Sequence, residues 1–244
     1  MRIKAIIEYN GSAFCGWQAQ EGLQTIEGEL ELALQKITGQ KTLVFGSGRT
    51  DAGVSAKNQV AHFDFEKDMP PERIAYAMNM YLPKEIRVKK TEQASSDFHA
   101  RYDVKSKTYC YKMYASSIES PLRDATHLQV WPNLDFDAMI ECTKHFVGTH
   151  DFKAFCQENP QLTTTIRTIT ECNMTKIDDE ITITISGSGF LHNMVRIICG
   201  TILKVGQRKL DKDSIPEIIA SKDRARAGQT LPAKALTLCN VDYD

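Results

Sequence analysis

The chain has 244 residues, 42% of them hydrophobic and 25% charged, with 30 Lys and Arg against 31 Asp and Glu. These are ordinary values for a folded protein and exclude the disordered, collagen-like and mucin-like classes. No apolar run reaches the roughly 18 residues of a membrane span, and Arg2, Lys4 and Glu8 bring charge too early for the apolar centre of a signal peptide, so no membrane partner is expected.

Residues 2–9 alternate and are rich in β-branched side chains, which predicts a strand ended by Asn10-Gly11-Ser12. Over 24–37, Ile26, Leu30, Ala33, Leu34 and Ile37 fall on one helical face, with Thr25 as the cap. Strands are predicted over 41–46 and 57–65, a helix from Pro70-Pro71 to about Tyr81, and strands over 86–92 and 105–115. Asp135 opens a helix to about Phe146. Residues 166–176 and 180–187 form a hairpin turning at Asp178-Asp179, and an apolar helix spans 190–205. A short helix at 213–220 and a strand at 235–243 close the chain. Sequential hairpins with few crossovers predict an α+β fold with a mainly antiparallel sheet. The loop at 116–133 is the best boundary, dividing the chain into 1–115 and 116–244.

The seven cysteines are odd in number, widely and irregularly spaced, and contain no C-x-x-C. That argues against a disulfide framework and a zinc site, and places the protein in a reducing compartment, the cytoplasm. The six histidines show no metal-binding spacing, so no metal is expected. Charge is uneven along the chain. Lys84–Lys112 holds eight basic residues against four acids, and Glu119–Glu180 holds five against eleven. One molecule can therefore carry a basic and an acidic face.

The most unusual stretch is Gly46-Ser47-Gly48-Arg49-Thr50-Asp51-Ala52-Gly53-Val54. Its glycines let the backbone approach a ligand closely. A strand, not a helix, follows, and no G-K-[ST] is present, which argues against phosphate-binding and dinucleotide loops. What remains is a tight loop that presents Arg49 and Asp51. By itself it also suits a turn in which Asp51 bonds its own backbone.

Six blocks in order carry a resemblance. They are Phe14-Cys15-Gly16-Trp17-Gln18-Ala19-Gln20; Gly48-Arg49-Thr50-Asp51-Ala52-Gly53-Val54 followed by Gln59-Val60-Ala61-His62-Phe63; Phe98-His99-Ala100-Arg101; Ser106-Lys107-Thr108-Tyr109-Cys110-Tyr111; Gly148-Thr149-His150-Asp151-Phe152; and Gly189-Phe190-Leu191-His192-Asn193-Met194-Val195-Arg196. Together they resemble the tRNA pseudouridine synthase A family. Ser55 stands where that family usually has His, and Ala235 where it usually has Gly.

The resemblance implies the pseudouridine synthase fold: a curved, mainly antiparallel sheet of two similar halves flanked by helices, with the active cleft between them. It implies isomerisation of uridine to pseudouridine in tRNA, at positions 38, 39 and 40 of the anticodon stem-loop, by a homodimer without a cofactor. Asp51 is then the nucleophile or base. Arg196 is its partner, favouring the charged carboxylate. Tyr109 is catalytic too, stacking on the flipped uracil and helping to move the C5 proton, and Leu191 lines the pocket below it. Arg49 fills the vacated space or holds a phosphate. Arg101, Lys105 and Lys107 contact the RNA backbone. The alternatives are a non-catalytic tRNA-binding protein on the same scaffold and a metabolic enzyme that binds a free nucleotide in the glycine-rich loop.

Overall fold

The computed structural model describes residues 1–157 and 163–243. The chain divides into two compact units. One comprises Met1–Lys105 with the C-terminal residues from Thr237 onward, the other Ser106–Leu236.

In the first unit β1 (Arg2–Tyr9) pairs antiparallel with β3 (Ser55–Asp64) on one side and β4 (Ile86–Gln93) on the other. The alternation read from the sequence is visible in burial, since Ile3, Ala5, Ile7 and Tyr9 are enclosed. Two helices are α1 (Ile26–Thr38) and α2 (Pro71–Asn79). Thr25 caps α1 by accepting the Gly28 N–H at 3.3 Å, and Gly39 ends it in the left-handed region at φ 80°. A side-chain ladder couples α2 to β4. Asn79 donates to Val88 O at 2.8 Å and accepts the Val88 N–H at 2.9 Å.

The strand predicted over 41–46 contracts to β2 (Phe45–Gly46), paired with β3. The Val44 N–H is taken by the Glu31 carboxylate at 3.1 Å instead of a neighbouring strand. The other added pairing is parallel, between β3 and β10 (Leu236–Asp242).

In the second unit β5 (Ser106–Ala115) pairs with β9 (Glu180–Gly187), β9 with β8 (Ile166–Ile177), and β8 with β7 (Gly148–Asp151), all antiparallel. The consecutive strands β7, β8 and β9 are thereby joined to β5. The β8–β9 hairpin turns at Asp178-Asp179 as expected, with Asp178 at φ 54°. Within the predicted boundary loop, β6 (Leu128–Val130) runs parallel to β5. Three helices follow the predicted order: α3 (Phe136–Thr143), capped by Asp135, α4 (Met194–Gly206) and α5 (Ile215–Ser221). Sheets and helices interspersed in this way make the fold α+β with mainly antiparallel strands. No described helix is long and apolar enough to cross a membrane.

The α4 helix begins four residues later than the apolar run suggests. Asn193 adopts φ 60°, a conformation no helix interior accepts, so Phe190 and Leu191 lie ahead of the helix.

Candidate active site

Asp51 sits half-buried in the turn between β2 and β3, and Arg49 is exposed beside it. The turn closes through Val54 N–H to Asp51 O at 3.1 Å, with Gly53 at φ 82°. Beneath it lies a buried polar network. The Ser47 hydroxyl donates to Gln59 Oε1 at 2.6 Å. The Gln59 amide donates to Gly48 O at 3.0 Å and to the Tyr9 hydroxyl at 3.3 Å. Tyr9 and Thr50 hydroxyls share a bond of 2.8 Å. Gln59 is fully enclosed, so each bond replaces one it would otherwise make to water, and breaking any leaves an unsatisfied buried group. Burial raises the Tyr9 phenol to about 12, which keeps the proton the network needs.

A second clamp comes from the segment after β1. Trp17 is buried, and its backbone N–H donates to Thr50 O at 3.0 Å. Gly16 stands at φ 91°, and a Cβ there would lie 2.9 Å from Thr50 O. A Cβ on Gly11 would lie 2.0 Å from Val54 O, and one on Gly46 would lie 2.5 Å from the Trp17 ring. The first glycine-rich segment and the Asp51 turn are thus pressed together backbone to backbone. Ser55 belongs to this closure, because its hydroxyl accepts the Gly11 N–H at 3.0 Å.

The Phe98-His99-Ala100-Arg101 block is fastened to β3. His62 Nδ1 accepts the Ala100 N–H at 3.1 Å, and the Tyr243 hydroxyl donates to Ala100 O at 2.5 Å. His62 is buried and flanked by His99, which lower its pKa to about 4. The ring is neutral, as its acceptor role requires. Arg101 and Lys105 are exposed in the segment leading from this block to β5.

In the second unit Tyr109 and Tyr111 both point inward from β5, as their two-residue spacing requires. Tyr111 is fully buried and donates to Pro232 O at 2.9 Å. The Tyr109 ring meets Phe190 edge to face, with centroids 5.3 Å apart. Leu191 is buried next in sequence, and Lys107 is half-buried on the same strand as Tyr109. Arg196 lies in the first turn of α4. Its Nε donates to Leu231 O and its Nη1 to Asn193 Oδ1, both at 2.6 Å. The Asn193 amide donates in turn to Gln157 Oε1 at 2.9 Å. The turn that displaces the helix start therefore also aims the guanidinium.

The structure places Arg49 and Asp51 on one clamped turn, and Tyr109 against the Phe190-Leu191 segment that leads into the helix of Arg196. The sequence assigns no role at the site to Tyr9, Gln59, Gly11, Phe190 or Asn193, although Gln59, Phe190 and Asn193 stand within the family blocks. For Gln59 a signal existed, since it opens the block Gln59-Val60-Ala61-His62-Phe63 that leads into the apolar part of the strand. For Asn193 the block marks the residue, and its left-handed backbone gives the reason. Three basic residues close together near the C-terminus, Lys222, Arg224 and Arg226, make contacts within the fold: Lys222 pairs with Asp151 at 2.8 Å, Arg226 with Glu217 at 3.5 Å, and Arg224 donates to Gly228 O at 2.7 Å.

Comparison with known proteins places the chain. The family described as tRNA pseudouridine synthase matches residues 5–103 and 142–244. The tRNA pseudouridine synthase A of Acetivibrio thermocellus is 42% identical over 99% of both chains. That of Brevibacillus brevis is 41% identical over 99% of both, and that of Bacillus subtilis 42% over the full length of both. Among solved structures, an archaeal box H/ACA sRNP Nop10-Cbf5 complex aligns over 83% of this chain and 43% of that chain, with 12% identity and a TM-score of 0.37. With its family model matched over most of its length and relatives of the same length, the chain belongs to the tRNA pseudouridine synthase family.

Proposed function

We propose that the protein converts uridine to pseudouridine in tRNA, at positions 38, 39 and 40 of the anticodon stem-loop. The observation that carries this reading is the Gly48–Val54 turn. It presents one carboxylate from a rigid, fully bonded base, in a chain matched end to end by tRNA pseudouridine synthases A.

The reaction is redox-neutral. The bond from uracil N1 to C1′ breaks, the ring turns over, C5 bonds to C1′, and the C5 proton leaves as N1 takes one up. Asp51 acts as nucleophile or base in that exchange. Arg196 supplies the counter-charge, Tyr109 stacks on the everted base, and Leu191 lines its pocket. Arg49 stabilises the extruded nucleotide, and Arg101, Lys105 and Lys107 hold phosphates. The half over 1–115 carries the Asp51 turn and Tyr109, and the half over 116–244 carries Leu191 and Arg196. The working form is a cytoplasmic homodimer whose two copies share one tRNA, which gives a near-neutral chain enough basic surface.

Replacing Asp51 by Asn removes the reacting charge and keeps the shape. With C5-tritiated uridine in a tRNA transcript, D51N is expected to release no tritium while still retaining the tRNA on a filter. Release at the wild-type rate would remove Asp51 from the chemistry.

A further inference from the structure

A cavity of about 590 Å³ opens in the first unit, where the segment after β4 passes the end of β10. Three aromatic rings wall it, Phe98, Tyr102 and Tyr243, together with Lys4 and Lys105. Phe98 and Tyr243 form a fixed corner, their centroids 5.3 Å apart. Lys4 Nζ stands over both, 5.6 Å from Phe98 and 4.8 Å from Tyr243. The corner cannot drift, because the Tyr243 hydroxyl is bonded to Ala100 O and the Ala100 N–H to His62.

Tyr102 is placed differently. One face stacks on His99 with centroids 4.2 Å apart and planes 30° apart, yet 77% of the residue is exposed. Its other face is open to a planar guest. The two carboxylates in the wall are already engaged. Glu92 faces Lys4 at 3.6 Å and Lys90 at 2.5 Å, and Asp103 Oδ2 accepts the His99 N–H at 2.7 Å.

An open ring face beside lysines suits a flat polar ring that carries an anion. A purely apolar guest would strip water from the Lys4 ammonium without replacing it. An acidic peptide would meet the lysines and leave the Tyr102 face unused. A nucleotide uses both, and the basic excess of Lys84–Lys112 favours it further. The volume lies within the range of small-ligand sites.

We infer that this cavity holds one unpaired nucleotide of the RNA substrate, other than the target uridine, its base stacked on Tyr102 and its phosphate beside Lys4 and Lys105. The inference rests on the proposed tRNA substrate and adds a second point at which that RNA is gripped.

The test uses the full chain and an unmodified tRNA transcript. Tyr102→Ala should raise KM on the order of tenfold, the loss falling on KM rather than kcat. Tyr102→Trp should restore KM, and in a Trp131→Phe background the emission of the Tyr102→Trp variant should be quenched on adding the transcript. Lys4→Gln should raise KM and reduce the salt slope of binding by about one unit. An unchanged KM for Tyr102→Ala, or an indole emission in Tyr102→Trp indifferent to the transcript, overturns the assignment. So does quenching by uridine 5′-monophosphate alone at the concentrations that suffice for the transcript, which would mark a free-nucleotide site. The fluorescence does not depend on turnover. If the wild-type protein releases no tritium, the proposed reaction falls while this site is still decided by the quenching.

Discussion

His62 shows how one side chain ties a surface block to the sheet. Its Nδ1 can accept the Ala100 N–H only while unprotonated, and burial beside His99 and Arg2 holds its pKa at about 4 against an ordinary 6.5. Between those values the unfolded chain binds a proton that the folded chain refuses. Stability is therefore full above about pH 6.5 and declines as pH falls toward 4, by at most about 1.4 kcal/mol per pH unit. Urea unfolding at pH 7 and pH 5 measures this. His62→Gln, which cannot titrate, should lose less between the two; equal losses would exclude His62 as the cause. Gln59 and Tyr9 act in the same style beneath the Asp51 turn, as uncharged groups whose bonds hold backbone in place.

At the scale of elements, the turn bearing Asp51 takes its shape from a segment some forty residues earlier. The contact between Gly11 and Val54 leaves no room for a methyl group. Gly11→Ala must push the two backbones apart, and misplacement of a reacting group by about 1 Å costs on the order of a hundredfold in rate. A kcat reduced to that degree is expected, with tRNA affinity by filter binding close to wild type; an unchanged kcat would show that the turn tolerates displacement. Most elements were legible because their signals are local: the alternation of β1, the Thr25 cap of α1, and the two aspartates turning β8 into β9. The short strands β6 and β7 lie outside every predicted strand, and at β2 and α4 a tertiary contact overrode the local signal. Glu31 captures the backbone of Val44 and shortens β2. At α4, Asn193 is held in a left-handed turn by its bonds to Gln157 and Arg196, so the apolar run begins before the helix does.

For the whole molecule, the net charge of −1 conceals its distribution. If Lys4, Arg101, Lys105 and Lys107 each meet a phosphate, log affinity for tRNA should fall against log salt with a slope of roughly −3. Filter binding between about 50 and 200 mM salt reads it, and a flat dependence would argue against the whole basic set.

The amino-acid order by itself determined the long strands and most of the helices, through periodicities of two and 3.6 residues. It also singled out the Asp51 turn, because a glycine-rich loop between two strands is written in consecutive residues. Only the tertiary structure decided what holds that turn, what aims Arg196 and where the aromatic cavity lies. Each depends on groups distant in the chain, such as Tyr9 with Gln59, Arg196 with Leu231, and Lys4 with Tyr243. Local spacing carries no record of such pairings, since any of several polar side chains can satisfy a given buried donor. Which one does is settled only when packing brings them within about 3 Å.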